Sequence, residues 1–424
     1  MKTCIRYSVR LAVVFGLAAS SSIYAQSDPG IRGGAPGGGG PLPGLSAEEL
    51  GLFGLYREVF QEIEDVAAGL GPRFNLDSCS GCHSQPAIGG SSPAVNPEVT
   101  RATANGASNS IPSFLSQTGP VREARRIRAS NGQRDGRVVP LFTITGRADS
   151  QGCGIAQPDF TQLHNFSFRI PTPTFGLGLV EAIPENLLRS NLSRERLRKT
   201  VFGIRGRLNT DAKTGAITRF GWKAQVATLA SFAAEAYNVE MGVTSEQFPV
   251  PGETACATSN AVEDQADPVT GDPADVVKFA EFMRLLDQPT PAPDTPSIVQ
   301  GRALFDHVGC ALCHTPALST GNAVSPALAS RRVDLFSDLA LHSMGDGLAD
   351  HVVQGGASTE EFRTAPLWGL GQRVFFLHDG RTSNLLEAIK AHANRESEAN
   401  RSVNAFEALK REQKQDLLNF LRSL

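Results

Sequence analysis

The alternation of apolar and polar positions predicts a chain of short elements, most of them helices. Ser46-Ala47-Glu48-Glu49 has the composition of a helix N-cap and acidic first turn. Leu50, Phe53, Leu55, Phe60 and Ile63 continue it as a helix running towards Cys79. Further helices are predicted over residues 274–286, from Leu385 through Ile389 to His392, and from about Lys410 to Leu424. Residues 138–145 suit a strand, and residues 201–222 a hairpin turning through Asp211-Ala212-Lys213-Thr214-Gly215.

Two stretches interrupt this pattern. Residues 26–45 are rich in Gly and Pro and read as a flexible tether. Residues 287–296 hold four prolines in ten positions, which blocks regular structure and marks a linker. The boundaries that follow are 46–286 for an N-terminal domain and 297–424 for a C-terminal one. The two resemble each other internally. Phe168-Arg169-Ile170-Pro171-Thr172-Pro173-Thr174-Phe175-Gly176-Leu177-Gly178 is similar to Phe362-Arg363-Thr364-Ala365-Pro366-Leu367-Trp368-Gly369-Leu370-Gly371, with one residue gapped. A weaker echo sets residues 222–233 beside residues 378–389. A duplicated module is the simplest account.

Residues 1–25 read as a secretory signal. Lys2, Arg6 and Arg10 precede an apolar run at 11–19, and Ile23-Tyr24-Ala25 ends the segment as a cleavage site. The run is shorter than the roughly 18–20 residues a membrane span needs. A soluble periplasmic protein is expected. The net charge of -3 and pI near 6.3 give no reason to expect nucleic acid or an anionic membrane as a partner.

Cysteine changes the picture most. Of seven, Cys4 lies in the signal and four form Cys79-x-x-Cys82-His83 and Cys310-x-x-Cys313-His314. In such a motif two thiols form thioethers with the haem vinyl groups and the adjacent histidine reaches the iron. Two motifs, each ending in His, in an exported chain predict two covalently bound c-type haems. The remaining pair, Cys153 and Cys256, is expected to form a disulfide in an oxidising compartment.

The second axial position of each iron then decides function. Candidates are His164, His307, His342, His351, His378, His392, Met241, Met283 and Met344. Here the sequence resembles a known family. Phe220-Gly221-Trp222, Leu229 and Asn238-Val239-Glu240-Met241-Gly242 are similar to the segment after the first haem of bacterial di-haem cytochrome c peroxidases. So are Thr364-Ala365-Pro366, Phe376-Leu377-His378-Asp379-Gly380, Leu385, Glu387-Ala388-Ile389 and His392. The di-haem oxidoreductases once labelled thiol oxidoreductases are nearer still, through Gly71-Pro72-Arg73-Phe74-Asn75 and Leu341-His342-Ser343-Met344-Gly345.

The resemblance implies a mainly α fold of two cytochrome-c-like haem domains, the N-terminal one enlarged by β-rich insertions. It makes Trp222 the aromatic bridge between the haems and Glu240 the distal carboxylate at the first, with Glu181 as its rival. His392 becomes the second axial ligand of the C-terminal haem, with His342 and Met344 as alternatives. His378 is placed either near a haem propionate or as a plain loop histidine, and His164 as a removable distal ligand. Phe232 stands where the peroxidases have Gln, and His392 where they usually have Met. The activity implied is peroxidase-like, with hydrogen peroxide or dioxygen as oxidant and a periplasmic electron donor or protein substrate. A plain electron-transfer cytochrome and a dioxygen-using oxygenase are the rivals. Calcium between the domains is a property of the relatives for which the sequence shows no legible ligand set.

Overall fold

The computed structural model describes residues 27–256 and 262–424; the segment read as a signal lies outside the described residues. The helices are α1 (Ala47–Gln61), α2 (Cys79–Cys82), α3 (Pro97–Arg101), α4 (Leu177–Glu181), α5 (Glu185–Ser193), α6 (Arg196–Phe202), α7 (Leu229–Met241), α8 (Asp275–Leu285), α9 (Pro296–His307), α10 (Leu385–Ala391), α11 (Asn400–Glu407) and α12 (Arg411–Ser423). The strands are β1 (Arg73–Phe74), β2 (Glu123–Arg126), β3 (Val138–Val139), β4 (Phe142–Thr143), β5 (Phe166–Arg169), β6 (Leu318–Ser319), β7 (Arg332–Val333), β8 (Leu341–Ser343) and β9 (Glu361–Arg363). The fold is mixed α/β, with 32% of residues helical. This corrects the expectation of a mainly α chain. Long Gly- and Pro-rich connections and short antiparallel pairings take up what the helices leave.

Two apolar clusters organise the chain. In the first, α1 packs on α8, with Phe60 and Phe282 ring centroids 4.9 Å apart, and α7 packs on α8 through Tyr237 and Phe279 at 5.1 Å. The second joins α9 to α12, where Phe305 meets Phe420 at 5.4 Å. A fully buried aromatic of this size contributes about 1.5–3 kcal/mol. The Ser46–Glu49 capping box starts α1 as its sequence predicts. Its buried stripe, however, is Phe53, Tyr56 and Phe60, while Leu50 and Leu55 face solvent. The predicted strand over 138–145 is broken at Pro140 into β3 and β4, since proline has no N–H for the ladder. The predicted hairpin keeps its turn, with Asp211 Oδ1 accepting from the N–H groups of Lys213 and Thr214. Its first residues instead end α6.

The internal repeat is visible in three dimensions. Gly176 and Gly369 both adopt left-handed φ, at 64° and 70°, and each starts a helical turn. Two residues on, a Cβ at Gly178 would lie 2.1 Å from the Arg284 carbonyl, and one at Gly371 2.1 Å from the Arg422 carbonyl. In each copy, then, the turn abuts the end of a helix, α8 or α12, and only glycine fits.

The stretch expected to be a flexible tether lies against the body. Leu42 is buried and its N–H bonds the Leu285 carbonyl at 2.8 Å. Asp28 pairs with Arg422 at 2.6 Å and accepts from the Leu385 N–H at 2.7 Å. The proline-rich stretch is held as well, with the Thr290 N–H on the Gly37 carbonyl and the Ala292 N–H on the Ser423 carbonyl, each at 2.7 Å. Lack of regular structure left these backbone groups free to bond the folded surface. Cys153 and Cys256 form a disulfide across 103 residues. No helix among the described residues is long and apolar enough to cross a membrane.

Candidate functional site

Each Cys-x-x-Cys-His motif opens on its own cavity. The empty space at the first is about 1180 Å³ and at the second about 1420 Å³, in each case counted out into open solvent.

In the first cavity Cys79 and Cys82 sit on α2, and His83 caps it. His83 Nδ1 bonds the Gly90 carbonyl at 3.0 Å, and burial pushes its pKa down to about 4. The imidazole is therefore neutral, with its proton on Nδ1 and Nε2 left as the basic nitrogen. The opposing wall combines α7 with β2. Successive strand side chains alternate, so Glu123 and Arg125 project to the same face of β2 and both line the cavity. Arg125 Nη2 donates to Glu123 at 3.2 Å. Arg169 of β5 joins them and pairs with Asp350 at 2.6 Å.

Glu240 also lines this cavity and bonds the Asn75 side chain, whose Oδ1 accepts from the Leu141 N–H at 2.7 Å. Burial, then the facing Glu123, drive the Glu240 pKa well above the carboxylate range. Burial acts on Glu123 too, but Arg125 and Arg169 outweigh it and hold Glu123 low. The two form a carboxyl–carboxylate pair, with the proton on Glu240 and the charge on Glu123. Glu235, one and a half turns back along α7, is raised by burial, and Glu98 is pushed up to about 8 by the same cause.

The second cavity has another character. His314 Nδ1 bonds the Phe336 carbonyl at 3.0 Å, matching His83, and burial lowers it to about 4. His392 caps α10, with Nδ1 on the Ala388 carbonyl at 2.7 Å, and burial lowers it as well, so its Nε2 is the basic nitrogen. Met344 and His378 also line the cavity. Two guanidiniums, Arg363 and Arg373, are buried in this wall; both are lowered to about 10, chiefly by burial, and neither forms an ion pair among the described residues.

Among the described residues, Trp222 alone contributes to both linings. Its Nε1 donates to the Ile170 carbonyl at 2.9 Å, its own carbonyl accepts from Arg363 N–H at 2.8 Å, and its ring meets His378 edge-on at 6.4 Å. These contacts fix the indole in the partition between the cavities.

Several expected residues stand elsewhere. Glu181 lies outside the first cavity: it accepts from the Leu229 N–H at 2.9 Å, capping α7, and pairs with Arg284 at 2.9 Å. It supports the helix that carries Glu240. His164 is exposed on a short helical turn away from the cavity. His342 lines the second cavity, but both its ring nitrogens face carboxylates, Asp338 at 3.1 Å and Glu398 at 2.8 Å. Burial would lower it, yet Cys313, Asp338 and Glu398 surround it and its pKa is raised well above the ordinary value. A doubly donating imidazolium has no lone pair for a metal. His378 stacks on Phe362 at 4.5 Å and is lowered to about 4 by burial.

Glu123, Arg125 and Arg169 were missed in the sequence. The alternation Glu123-Ala124-Arg125-Arg126 is the signal that marks a strand presenting an acid and a base together. One acidic grouping lies apart from both cavities: carboxylates of Asp346, Glu360 and Glu396 come within 4.8 Å of one another and offer oxygen donors of the kind calcium takes.

A family model described as "Di-haem oxidoreductase, putative peroxidase" matches residues 140–424. That stretch holds the second motif; the first precedes it. Among solved structures the chain is similar to the diheme peroxidase BthA from Burkholderia thailandensis E264, at 16% identity over 88% of this chain and 86% of that one, TM-score 0.40. It is similar to a MauG-like protein associated with microbial copper homeostasis, at 18% identity over 52% and 78%, TM-score 0.30. It is also similar to hydrazine synthase from Kuenenia stuttgartiensis, at 19% identity over 40% and 63%, TM-score 0.25, and so spans less than two thirds of that chain. Comparison with curated proteins gave no match. The chain belongs to the di-haem oxidoreductase family; it is an oxidoreductase, and its cofactors are haems.

Proposed function

From membership of that family as premise, we propose that the chain is an exported, peroxidase-like enzyme with two covalently attached haems, the first cavity being the reaction site and the second the electron relay. The observation that carries the reading is the contrast between two cavities that share Trp222. One is lined by a carboxyl–carboxylate pair beside two guanidiniums. The other presents a histidine with a basic Nε2, and no carboxyl pair of that kind.

Cys79 and Cys82 would hold one haem and Cys310 and Cys313 the other, with His83 and His314 as proximal ligands. The residues fit such a group. Both histidines are neutral and held through Nδ1 by a carbonyl, which leaves Nε2 for a metal. Arg363 and Arg373, without ion-pair partners in the second wall, suit the acidic side arms of a haem. When bound, haem supplies an iron that accepts peroxide and exchanges electrons.

The chain's own groups manage protons. Glu240 holds one, against Glu123, and gives it to the departing oxygen of the peroxide; the ionised partner draws the peroxide proton in. A positioned acid–base pair contributes about 10²–10⁴-fold. Arg125 and Arg169 keep Glu123 ionised. Trp222 joins the two haem environments. His392 would complete the second iron's coordination as a bis-histidine pair of low potential, because a methionine ligand raises it.

The architecture proposed is two cytochrome-c-like domains, residues 46–286 with β-rich insertions and 297–424. Export through the segment 1–25 to the periplasm is consistent with the Cys153–Cys256 disulfide, since such bonds persist in oxidising compartments. An electron donor or protein substrate there would refill the relay.

The ferric spectrum with added hydrogen peroxide tests this. One high-spin and one low-spin haem are expected, with the high-spin bands shifting on peroxide. Two low-spin haems inert to peroxide would make the chain an electron carrier, and response to dioxygen alone an oxygenase.

A further inference from the structure

Tyr237 and Glu64 form a buried pair that the peroxide chemistry above does not use. Tyr237 lies on α7 three residues before Glu240 and lines the first cavity. Its hydroxyl donates to Glu64 Oε1 at 3.0 Å, and the two side chains are 3% and 4% exposed. Phe279 stands edge-on to the phenol at 5.1 Å and fixes the ring. Phe60 stands between α8 and the motif: its ring lies 6.1 Å from Phe279 and 6.2 Å from His83, so the pair sits in the wall behind the haem-attachment segment. A carboxyl buried to this degree costs stability that an apolar residue would not.

We propose that Tyr237 and Glu64 are a proton-coupled oxidation site beside the first haem, in which Tyr237 surrenders one electron while its phenolic proton crosses to Glu64. The proposal rests on the first cavity being the peroxide site. The oxidant is the oxidising equivalent left there when peroxide is reduced to water. The phenolic O–H bond breaks and a carboxyl O–H bond forms. Tyr237 becomes a neutral phenoxyl radical, Glu64 a neutral acid, and the haem site gains one electron. The step reverses when an electron reaches Tyr237 and the proton returns over the same 3.0 Å.

The surroundings favour this coupled route. Burial pushes the Tyr237 phenol far up, so it does not ionise first. Burial, then the negative charges of Glu62, Asp275 and Asp65, push Glu64 up to about 7, a high proton affinity for a carboxylate. The pair would hold one oxidising equivalent when the relay is slow to deliver its electron.

Electron paramagnetic resonance of the full di-haem protein, frozen shortly after mixing with hydrogen peroxide, tests this. Tyr56 and Tyr237 are the only tyrosines after the predicted signal, so the background is small. The expected result is an organic radical that narrows when the protein is made with ring-deuterated tyrosine. It should vanish in Tyr237→Phe while the haem optical response to peroxide persists. Glu64→Gln should lower its yield several-fold, and serves alone if Tyr237→Phe does not retain both haems. Survival of the signal in Tyr237→Phe, an unchanged yield in Glu64→Gln, or a haem response in wild type without a tyrosyl radical overturns the proposal alone. Haem bands that ignore peroxide overturn the cavity assignment and this proposal together.

Discussion

The two cavities share a frame and differ in what fills it. In both, a Cys-x-x-Cys-His motif ends in a histidine held through Nδ1 by a backbone carbonyl, and a glycine lets a turn abut the end of a helix. Above the first, α7 presents Phe232, Glu235 and Glu240. Above the second, α10 and its cap present Ala388, Ile389 and His392. A similar frame thus carries different side chains in each half, from α7 together with β2 and β5 in the first and from α10 in the second. An acid pair suits proton delivery, and a neutral imidazole suits holding a metal. The carboxylates also explain why the first cavity needs β2 and β5. Their arginines outweigh burial at Glu123 and hold it low, while burial and Glu123 push Glu240 up.

Cysteine replacement breaks this comparison most completely. Cys79→Ala with Cys82→Ala should remove one haem and all reaction with peroxide. Cys310→Ala with Cys313→Ala should remove the other and leave the first step at the N-terminal site. Haem content by pyridine haemochrome and stopped-flow mixing with peroxide read both; retention of two haems in either variant would end the assignment.

The acid pair comes next. Glu240→Gln and Glu123→Gln should each slow the peroxide reaction by about 10²–10⁴-fold with both haems bound. Because the two share one proton, the double variant should lose little beyond either single one. Additive losses would mean that they act separately.

His392→Gly should raise the high-spin signal by one haem's worth and leave the first peroxide step within a few-fold of wild type. His392→Met should raise the potential of the second haem if the thioether reaches the iron. An unchanged spectrum in His392→Gly would move the ligand to Met344, the remaining candidate without carboxylate partners.

The smallest effect expected is on stability. Glu98 is neutral in the folded state up to about pH 8 because of burial, while unfolded it ionises near its ordinary value. The folded form binds more protons between these limits, so its contribution is full at low pH and lost as pH rises to about 8. Thermal unfolding followed from about pH 5 to about pH 8 should show the N-terminal half weakening, and Glu98→Gln should flatten that slope. Equal slopes would assign the loss to other groups.

Much of this was legible in the sequence, for identifiable reasons. Local signals held: the Ser46–Glu49 cap and the Asp211 turn depend on neighbours a few residues away. His342 and Glu181 looked plausible because a sequence shows that a side chain has a lone pair or a charge, not that a distant partner already occupies it. Asp338 lies four residues from His342, but Glu398 lies 56 away. Glu123 was hidden because the residue it faces, Glu240, lies 117 positions away and is brought to the same cavity only by the fold. The tether was misread because composition reports a lack of regular structure, not a lack of contacts.

The docking of Asp28 bears on how two helices of the second cavity are held together. Asp28 bonds Arg422 across 394 residues, and also the first N–H of the helix that His392 caps. A contact between such distant residues closes a very long loop, and the entropic cost of that closure grows only slowly with its length. The wall of the second cavity is thus tied shut by a residue far off in sequence, and loss of that one contact would loosen α10 and α12 together.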